Sequence, residues 1–317
     1  MEKKEKLMIE IAKMYYYYGY SQKKISETVN LSRAYICQLL EQARQEGIVE
    51  VKIKDSATNL ESLENWLIEN FQLKKVKVFQ DKNLSTKDYM ISSMSKEVSE
   101  LLRGLVKNDS ILAFSWGETL YNISKEMKVE PDIKNVKVIP LSGGIGNIKK
   151  NNYTHEISTN FAKIYNGTPY VIPLPVIVDS EKIKNSIYSD AAVSTLLEMV
   201  RQADAAVFTV GNPGADNALF QSGFIDKHDL KQLQSRGLVG DLCAHFLNKN
   251  GMVCDEEYDK RTISISLSEM KKIPKKICVV YDVSKARILL NVLKGGYVDY
   301  LFVDEATASL LRYANPE

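Results

Sequence analysis

The sequence has few of the residues that build disulfide frameworks, zinc sites or membrane spans. Its four cysteines form no CxxC pair, and none lies at zinc-finger spacing from a histidine, so we expect reduced thiols and no metal site. No apolar run reaches the roughly 18 residues of a transmembrane helix, and the N-terminal segment lacks the apolar core and cleavage site of a signal peptide. These absences predict a cytoplasmic protein with no membrane partner.

The motifs of nucleotide binding and of common hydrolases are also missing. The patterns GxGxxG, GxxxxGK[ST], GxSxG and HExxH do not occur. The three histidines, His155, His228 and His245, are scattered along the chain, and only His155 lies near a glycine-rich loop. Because no convincing acid–base pair is assembled, we expect a protein that is not an enzyme and that requires no cofactor.

Charge and length leave the class of partner open but indicate two domains. The formal net charge is +2, which neither indicates nor excludes nucleic-acid binding, because a local basic face is sufficient. The chain has 317 residues, and a single core rarely grows beyond about 250 residues. We therefore divide the chain into a small domain at 1–55, a connector at 56–74 and a large domain at 75–317.

The first 55 residues carry the pattern of three short helices. The first helix has an apolar stripe at helical spacing, formed by Met8, Ile11, Ala12, Tyr15 and Tyr16. Gly19 is predicted to end it in a left-handed conformation. Ser21 then caps a short helix that runs to Val29, Asn30 makes a turn, and Ser32 caps a third helix that stops at Gly47.

A short helix, a tight turn and a longer helix are typical of the helix-turn-helix, whose second helix enters the DNA major groove. Arg can bridge guanine O6 and N7, and Gln can bridge adenine N6 and N7. The alternating segment Ile48–Ile53 predicts a wing strand. The alternative is a three-helix protein-interaction module without a DNA role. The candidate DNA-binding residues are Ser21, Gln22, Ser32, Arg33, Ala34, Tyr35 and Gln38.

The connector carries one apolar helical stripe, formed by Leu60, Leu63, Trp66, Leu67 and Phe71. Such a stripe either packs on the domain that contains it or pairs with a second copy of the chain. A dimerisation helix would suit a protein that reads a two-fold symmetric operator. The sequence leaves both alternatives open.

From Lys75 onward, short apolar runs alternate with amphipathic stretches. This alternation predicts an α/β fold with a doubly wound parallel sheet and helices on both faces. The predicted strands are 76–79, 110–114, 136–141, 170–173, 205–210, 277–281 and 300–303. The predicted helices are 87–106, 117–127, 155–165, 190–202, 285–293 and 307–313. Sheets of this type bind ligands beyond the carboxyl ends of their strands.

Several strand ends carry residues suited to a phosphate or a sugar. Hydroxyls and free N–H groups at a helix start can hold a phosphate, glycines allow close approach of a ligand, a lysine can neutralise an anion, and a carboxylate accepts hydrogen bonds from sugar hydroxyls. Ser142 cannot form an imine, so binding at that position is expected to be non-covalent. The candidate effector-binding residues are Ser115, Gly117, Thr119, Gly143, Gly144, Gly146, Gly211, Asp241 and Lys285.

Over nearly its full length the chain resembles SorC-type bacterial transcriptional regulators, which are sometimes grouped with deoxyribonucleoside regulators. The N-terminal resemblance is carried by YYYYGYSQKKI (15–25), LSRAYI (31–36) and QARQEGIV (42–49). Further along, it is carried by SWGET (115–119), LSGG (141–144), VGD (239–241), KA (285–286) and DE (304–305). These segments are specific in combination.

The resemblance implies a winged helix-turn-helix joined to a sugar-binding domain similar to glucosamine-phosphate deaminases and ribose-phosphate isomerases. It also implies dimers or tetramers and a phosphorylated sugar as effector. The expected function is therefore that of a regulator of a carbohydrate-utilisation operon, which binds double-stranded operator DNA. The alternative is a sugar-phosphate isomerase or deaminase with an added N-terminal domain.

Two departures from the family pattern bear on the expected sites. The stretch Tyr281–Ser284 replaces a glycine-rich segment, and Asp282 would weaken anion binding if it points inward. Ala34 and Gln38 replace the commoner Pro and Arg of the recognition helix. This change could redirect base readout from guanine towards adenine.

Overall fold

The computed structural model describes residues 2–46, 48–49, 57–80, 87–144 and 153–315. Contacts divide the chain into two compact units, Met1–Ser56 and Ala57–Glu317. Within the described residues, no helix combines the length and apolar character needed to cross a membrane.

The first unit is helical throughout its described part. Helix α1 (Glu2–Ala12) continues as one π-helical turn, Lys13–Tyr17, and is followed by α2 (Gln22–Val29) and α3 (Arg33–Gln45). A small core joins the helices and contains Met8, Ile11, Ile25, Ile36, Leu39 and Leu40. Tyr16 is 37% exposed, so the predicted apolar stripe of the first helix ends one residue early.

The turns of this unit follow the predicted chemistry. Gly19 and Asn30 adopt left-handed conformations, with φ of 66° and 54°. The Ser21 Oγ accepts a hydrogen bond from the Lys24 N–H at 3.2 Å, and the Ser32 Oγ accepts one from the Tyr35 N–H at 3.2 Å. Both predicted caps are confirmed. Ile48 and Val49 lie in bends, and the remainder of the predicted wing strand falls outside the described residues.

The second unit is built on a seven-stranded sheet in which every paired strand is parallel. Its strands are β1 (Lys75–Phe79), β2 (Ile111–Phe114), β3 (Lys137–Pro140), β4 (Thr168–Pro169), β5 (Ala205–Phe208), β9 (Lys276–Val280) and β10 (Tyr300–Asp304). The strand order is β1-β10-β9-β5-β2-β3-β4. The predicted mixed α/β fold with a parallel sheet is confirmed.

Helices cover both faces of this sheet because successive strand residues point to opposite sides. In β2, Ala113 joins one apolar cluster while Leu112 and Phe114 join the other. The first cluster receives residues of α4 (Ala57–Phe71), α9 (Ala191–Arg201), α14 (Ala286–Lys294) and α15 (Glu305–Ala314). The second receives residues of α5 (Lys87–Leu105), α6 (Glu118–Glu126) and α7 (Thr154–Ile164).

The apolar stripe of the connector packs on this second unit. Leu63, Trp66 and Leu67 are buried in the first cluster, and the Glu64 carboxylate accepts a hydrogen bond from the Val78 N–H of β1 at 2.8 Å. Of the two alternatives, packing of the helix on its own domain therefore accounts for the stripe.

The structure corrects the sequence prediction in the middle of the chain. Residues 170–173 form no strand, and β4 lies two residues earlier. The predicted strand 205–210 is two strands, because β5 ends at Phe208 and β6 (Val210–Gly211) joins a different sheet. That antiparallel sheet, with β7 (Leu238–Leu242) and β8 (His245–Asn248), was not predicted. Its strands are short, and a two-residue strand carries no periodicity.

Five short helices also escaped prediction because each offers only one or two turns of pattern. They are α8 (Glu181–Tyr188), α10 (Ala218–Gln221), α11 (Lys227–Ser235), α12 (Glu256–Lys260) and α13 (Leu267–Lys272). Residues of α10, α11 and α12 form a third apolar cluster with β8, through Leu219, Leu233, Phe246 and Tyr258. This part of the unit lies beside the carboxyl end of β5 and supplies one wall of the site described below.

Two glycines of the second unit should respond oppositely to alanine. Gly240 has a φ of 147°, and an added Cβ would lie 2.2 Å from the Gly211 carbonyl oxygen, whereas Gly104 in α5 has open space. Gly240→Ala should lower the unfolding free energy by at least about 2 kcal/mol. Gly104→Ala should raise it by about 0.5–1 kcal/mol.

Urea unfolding followed by tryptophan fluorescence measures both changes, because Trp66 and Trp116 are the chain's two tryptophans and both lie in the second unit. Equal stabilities of the two variants would show that the close contact between Gly240 and the Gly211 carbonyl oxygen tolerates a side chain at position 240.

Candidate functional site

A cavity of about 300 Å³ opens at the carboxyl ends of three adjacent parallel strands. Ser115 follows β2, Thr209 follows β5, and Tyr281 follows β9. The antiparallel sheet closes another side through Gly211 and Asp241. This is the place where open α/β sheets bind ligands.

Six of the nine predicted effector residues line the cavity: Ser115, Gly117, Thr119, Gly211, Asp241 and Lys285. Gly143 and Gly144 are not among the lining residues; a Cβ at Gly143 would meet the Leu174 and Pro175 carbonyl oxygens, and one at Gly144 would meet the Thr154 side chain. These glycines allow close packing, and their neighbour Ser142 faces the cavity instead. Gly146 lies outside the described residues.

Sequence reasoning missed other polar or aromatic lining residues, among them Trp116, Tyr153, Thr209, Asn212, Asp216, Asn217 and Tyr281. Most of them flank predicted positions along the chain. Asn217 carries no motif, and only the antiparallel sheet brings it next to Asp241. Trp116 was indicated in part, because it lies in the segment SWGET (115–119), which carries the family resemblance.

Ser115, Thr209 and Lys285 form one polar group in the cavity. The Ser115 Oγ accepts a hydrogen bond from the Thr209 N–H at 3.1 Å, and the Lys285 ammonium lies 3.5 Å from the Thr209 Oγ1. Burial lowers the pKa of Lys285, an effect that the nearby Asp282 carboxylate opposes. The group thus presents a desolvated cation and two hydroxyls to a ligand.

Asp241 is the buried carboxylate of the cavity. Its Oδ1 accepts a hydrogen bond from the Asn217 Nδ2 at 2.8 Å, and its Oδ2 accepts one from the Ala244 N–H at 3.2 Å. Burial raises the pKa of Asp241, and these hydrogen bonds act against the rise. A Cβ at Gly211 would lie 1.9 Å from the Asp241 Oδ1, so glycine at 211 makes room for this carboxylate.

Asp282 both lines the cavity and caps a short helix. Its Oδ1 accepts a hydrogen bond from the Ser284 N–H at 2.9 Å. The Asp282 carboxylate is also the largest charge effect on Lys285. The acidic group therefore stands at the site, as the departure from the family pattern suggested, with one oxygen engaged by the backbone.

The start of α6 forms the opposite rim. Gly117 caps this helix with a φ of 127°, a conformation that favours glycine. Trp116 is fixed beside it because its indole N–H donates to the Ser142 Oγ at 2.9 Å and to the Gly143 carbonyl oxygen at 3.1 Å. The start of α6, with Gly117 and Thr119, therefore borders the cavity.

In the first unit, the predicted DNA-binding residues differ in exposure. Ser21, Ser32, Arg33, Ala34 and Gln38 are exposed, whereas Gln22 and Tyr35 are partly buried. Tyr35 packs against the core of the unit. Its phenol ring is therefore partly committed to packing.

Among the residues that the structure describes, one group of side chains lies close enough to hold a cation. Ligand atoms of Asp226, His228 and Asp229 lie within 4.8 Å of one another on the surface. However, Asp226 and Asp229 already form a capping box at the start of α11. The arrangement is explained by helix capping.

The geometry defines an α/β ligand-binding protein, and comparison with known proteins identifies its family. Residues 55–311 match the family described as "Putative sugar-binding domain". The chain is 32% identical over 310 residues to the deoxyribonucleoside regulator of Bacillus subtilis (strain 168), with 97% of each chain covered. It is 24% identical over 307 residues to the sorbitol operon regulator of Klebsiella pneumoniae, covering 96% of this chain and 97% of that one.

Solved structures show the same fold. The full-length sorbitol operon regulator SorC from Klebsiella pneumoniae superposes with a TM-score of 0.72 at 23% identity, covering 96% of this chain and 98% of that one. A transcriptional regulator from Streptococcus pneumoniae TIGR4 gives a TM-score of 0.77 at 23% identity, covering 83% of this chain and 100% of that one.

The chain belongs to this sugar-binding domain family of SorC-type transcriptional regulators. It is a transcriptional regulator and not an enzyme, and the alternative of an isomerase or deaminase is not favoured by its relatives. The family resemblance in the sequence is confirmed.

In the absence of ligand, the charged Lys285 side chain should lower the unfolding free energy of the protein. Because burial lowers its pKa, the charged form is less stable in the folded state than in the unfolded chain. Lys285→Met should therefore raise the unfolding free energy at pH 7 by about 1 kcal/mol. The gain should shrink as the pH rises through the lowered folded-state pKa towards the unfolded value near about 10.4.

Chemical unfolding of both proteins between pH 7 and 10 measures this dependence. Lys294→Met, at an exposed position of the same helix, is the matched control and should show no comparable trend. A loss of stability in Lys285→Met at pH 7 would show that the ammonium is well compensated.

Proposed function

We propose that the protein binds operator DNA of a carbohydrate-utilisation operon through its first unit and is controlled by a phosphorylated sugar bound in the cavity. The observation that carries the effector half is the pairing of two subsites: Lys285 with Thr209 and Ser115 on one side, and buried Asp241 on the other. A protein that acts on an operator works in the cytoplasm.

The phosphate is assigned to the Lys285 side of the cavity. A desolvated ammonium, the Thr209 hydroxyl and the N–H groups at the start of α6 are phosphate ligands, with Gly117 and Thr119 at the helix start. Asp282 reduces the positive potential there, although its Oδ1 is engaged by the Ser284 N–H. The sugar hydroxyls are assigned to Asp241 and Asn212, which offer acceptors and an amide.

For the DNA-binding half we propose a winged helix-turn-helix, which is supported by the two helices α2 and α3 on either side of the turn at Asn30. Arg33 and Gln38 lie exposed on α3, and both side chains suit base edges in the major groove. Ser21, with Gln22, opens α2 and Ser32 opens α3, where phosphate contacts form. Ala34 is exposed and small enough to contact a thymine methyl group.

Control requires that the effector favour one arrangement of DNA-binding units over another. We propose that the protein acts as a dimer or tetramer, since operators with two half-sites match two-fold symmetric proteins. The relatives named as a deoxyribonucleoside regulator and a sorbitol operon regulator support control by a sugar-derived effector.

An enzymatic role for the cavity is not supported by a histidine among its described lining residues. His155 is exposed, and no histidine occurs among the described residues that line the cavity. A sugar isomerase or deaminase needs an acid–base pair within hydrogen-bond reach of its substrate. The relatives named as regulators favour ligand binding without turnover in this cavity.

Calorimetry tests the effector assignment. A sugar phosphate that binds should lose at least about tenfold in affinity in Lys285→Gln, since a charge-assisted hydrogen bond contributes about 1.5–3 kcal/mol. The same sugar without its phosphate should bind weakly to both proteins. Equal affinities for the phosphorylated and free sugars would contradict a phosphate subsite, and turnover of the ligand would restore the enzymatic alternative.

Fluorescence anisotropy on upstream operon DNA tests the DNA assignment. Gln38→Ala should weaken operator binding by about 1–3 kcal/mol and relax preference at one base pair, if Gln38 reads an adenine. Arg33→Ala should weaken operator binding comparably, and Glu10→Gln, exposed on α1, should leave it unchanged. If the wild-type protein binds DNA without sequence preference, the proposal that it recognises a specific operator is contradicted.

A further inference from the structure

A second cavity of about 240 Å³ lies in the same unit, between α8, α9 and the segment that leads into α13. Unlike the clusters around the sheet, its lining is rich in ionisable groups. These are Lys184, Tyr188, Arg201, His245, Asp259 and Glu269. None of them is among the residues that line the first cavity.

The acidic groups of this cavity already have side-chain partners. The Asp259 Oδ1 lies 2.5 Å from the His245 Nδ1, and the Glu269 Oε1 accepts a hydrogen bond from the Arg201 Nε at 2.6 Å. Arg201 also contacts Glu198 at 3.2 Å. Both ring nitrogens of His245 face acceptors, since its Nε2 lies 2.8 Å from the Ile265 carbonyl oxygen.

Lys184 forms no salt bridge with the described residues of this network. Its ammonium donates to the Asp259 carbonyl oxygen at 3.4 Å and lies 5.3 Å from the centroid of the Tyr188 ring, and within the described residues no carboxylate lies within the 4.0 Å of a salt bridge. Burial lowers the pKa of Lys184. Tyr188 lies one helical turn further on, and its hydroxyl donates only at 3.4 Å, to the Ser264 carbonyl oxygen. Two donors on one helix face therefore border the cavity with weak partners.

From this geometry we propose that the second cavity binds a small metabolite through a phosphate or carboxylate group held by Lys184 and Tyr188. The oxyanion would complete the contacts of a desolvated ammonium whose neighbouring carboxylates are engaged elsewhere. The assignment concerns a site separate from the effector cavity and does not depend on the proposed effector.

The two cavities share a wall, because neighbouring residues line one or the other of them. Cys243 and Ala244 line the first cavity, and the next residue, His245, lines the second. Ser142 of the first cavity forms an antiparallel bridge with Ser264 of the second. A ligand in the second cavity that shifts this wall changes effector affinity, and the effector changes its affinity by the same factor.

Calorimetry with sodium phosphate and with sodium acetate, at constant ionic strength, tests the site in full-length Lys285→Gln protein. This background weakens anion binding in the effector cavity, so that binding lost on a further substitution of Lys184 reports on the second cavity. We expect saturable binding of at least one anion, lowered at least about tenfold by adding Lys184→Gln. Adding Lys182→Gln, exposed on the same helix, should leave it unchanged.

Phosphate binding without acetate binding would assign a phosphate ligand, and the reverse would assign a carboxylate ligand. Should Lys184→Gln fail to fold, Tyr188→Phe removes only the hydroxyl and should weaken binding in the same direction. Saturation by neither anion, or equal affinity in the Lys184 and Lys182 variants, would overturn the site. If the effector proposal is wrong, the wild-type protein should instead show no binding of sugar phosphates.

The shared wall has its own readout in Trp116, whose indole N–H donates to the Ser142 Oγ. In Lys285→Gln protein carrying Trp66→Phe, the bound anion should change Trp116 emission with the concentration dependence found by calorimetry. Saturable binding with constant emission would contradict the linkage between the cavities.

Discussion

The site depends on one constraint: the chain passes directly from a strand of the parallel sheet into a strand of the antiparallel sheet. β5 ends at Phe208 and β6 begins at Val210, so Thr209 stands between two sheets. Its N–H donates to the Ser115 Oγ, and its hydroxyl lies beside the Lys285 ammonium. The parallel sheet alone would present strand ends to solvent, whereas the added sheet encloses them and brings Asp241 opposite.

Burial on both faces makes this arrangement rigid. The central strands β9, β5 and β2 send alternate residues into two large apolar clusters, so their ends are held in a fixed register. Polar groups can then be desolvated at a defined place. The buried Asp241 carboxylate and the Lys285 ammonium are both less stable when charged than in water, and a ligand that supplies their missing partners stabilises the folded protein.

Much of this followed from sequence because periodicity and capping are local. The alternation from Lys75 onward predicted the parallel sheet, and Ser21, Asn30 and Ser32 predicted the helix boundaries. The pairing of β6 with β7 was missed because its register joins Val210 to Leu242 across 32 residues. Gly143 and Gly144 were expected at the ligand, but their role is close packing against Leu174, Pro175 and Thr154. Local pattern does not reveal which neighbour a glycine accommodates.

The central claim is that the sugar phosphate binds across the junction at Thr209. A crystal structure of the protein with a bound sugar phosphate tests it most directly. The account predicts phosphate oxygens within hydrogen-bonding distance of the Lys285 ammonium and the Thr209 hydroxyl, with sugar hydroxyls near Asp241. A ligand whose phosphate lies away from Lys285, or outside this cavity, would contradict it.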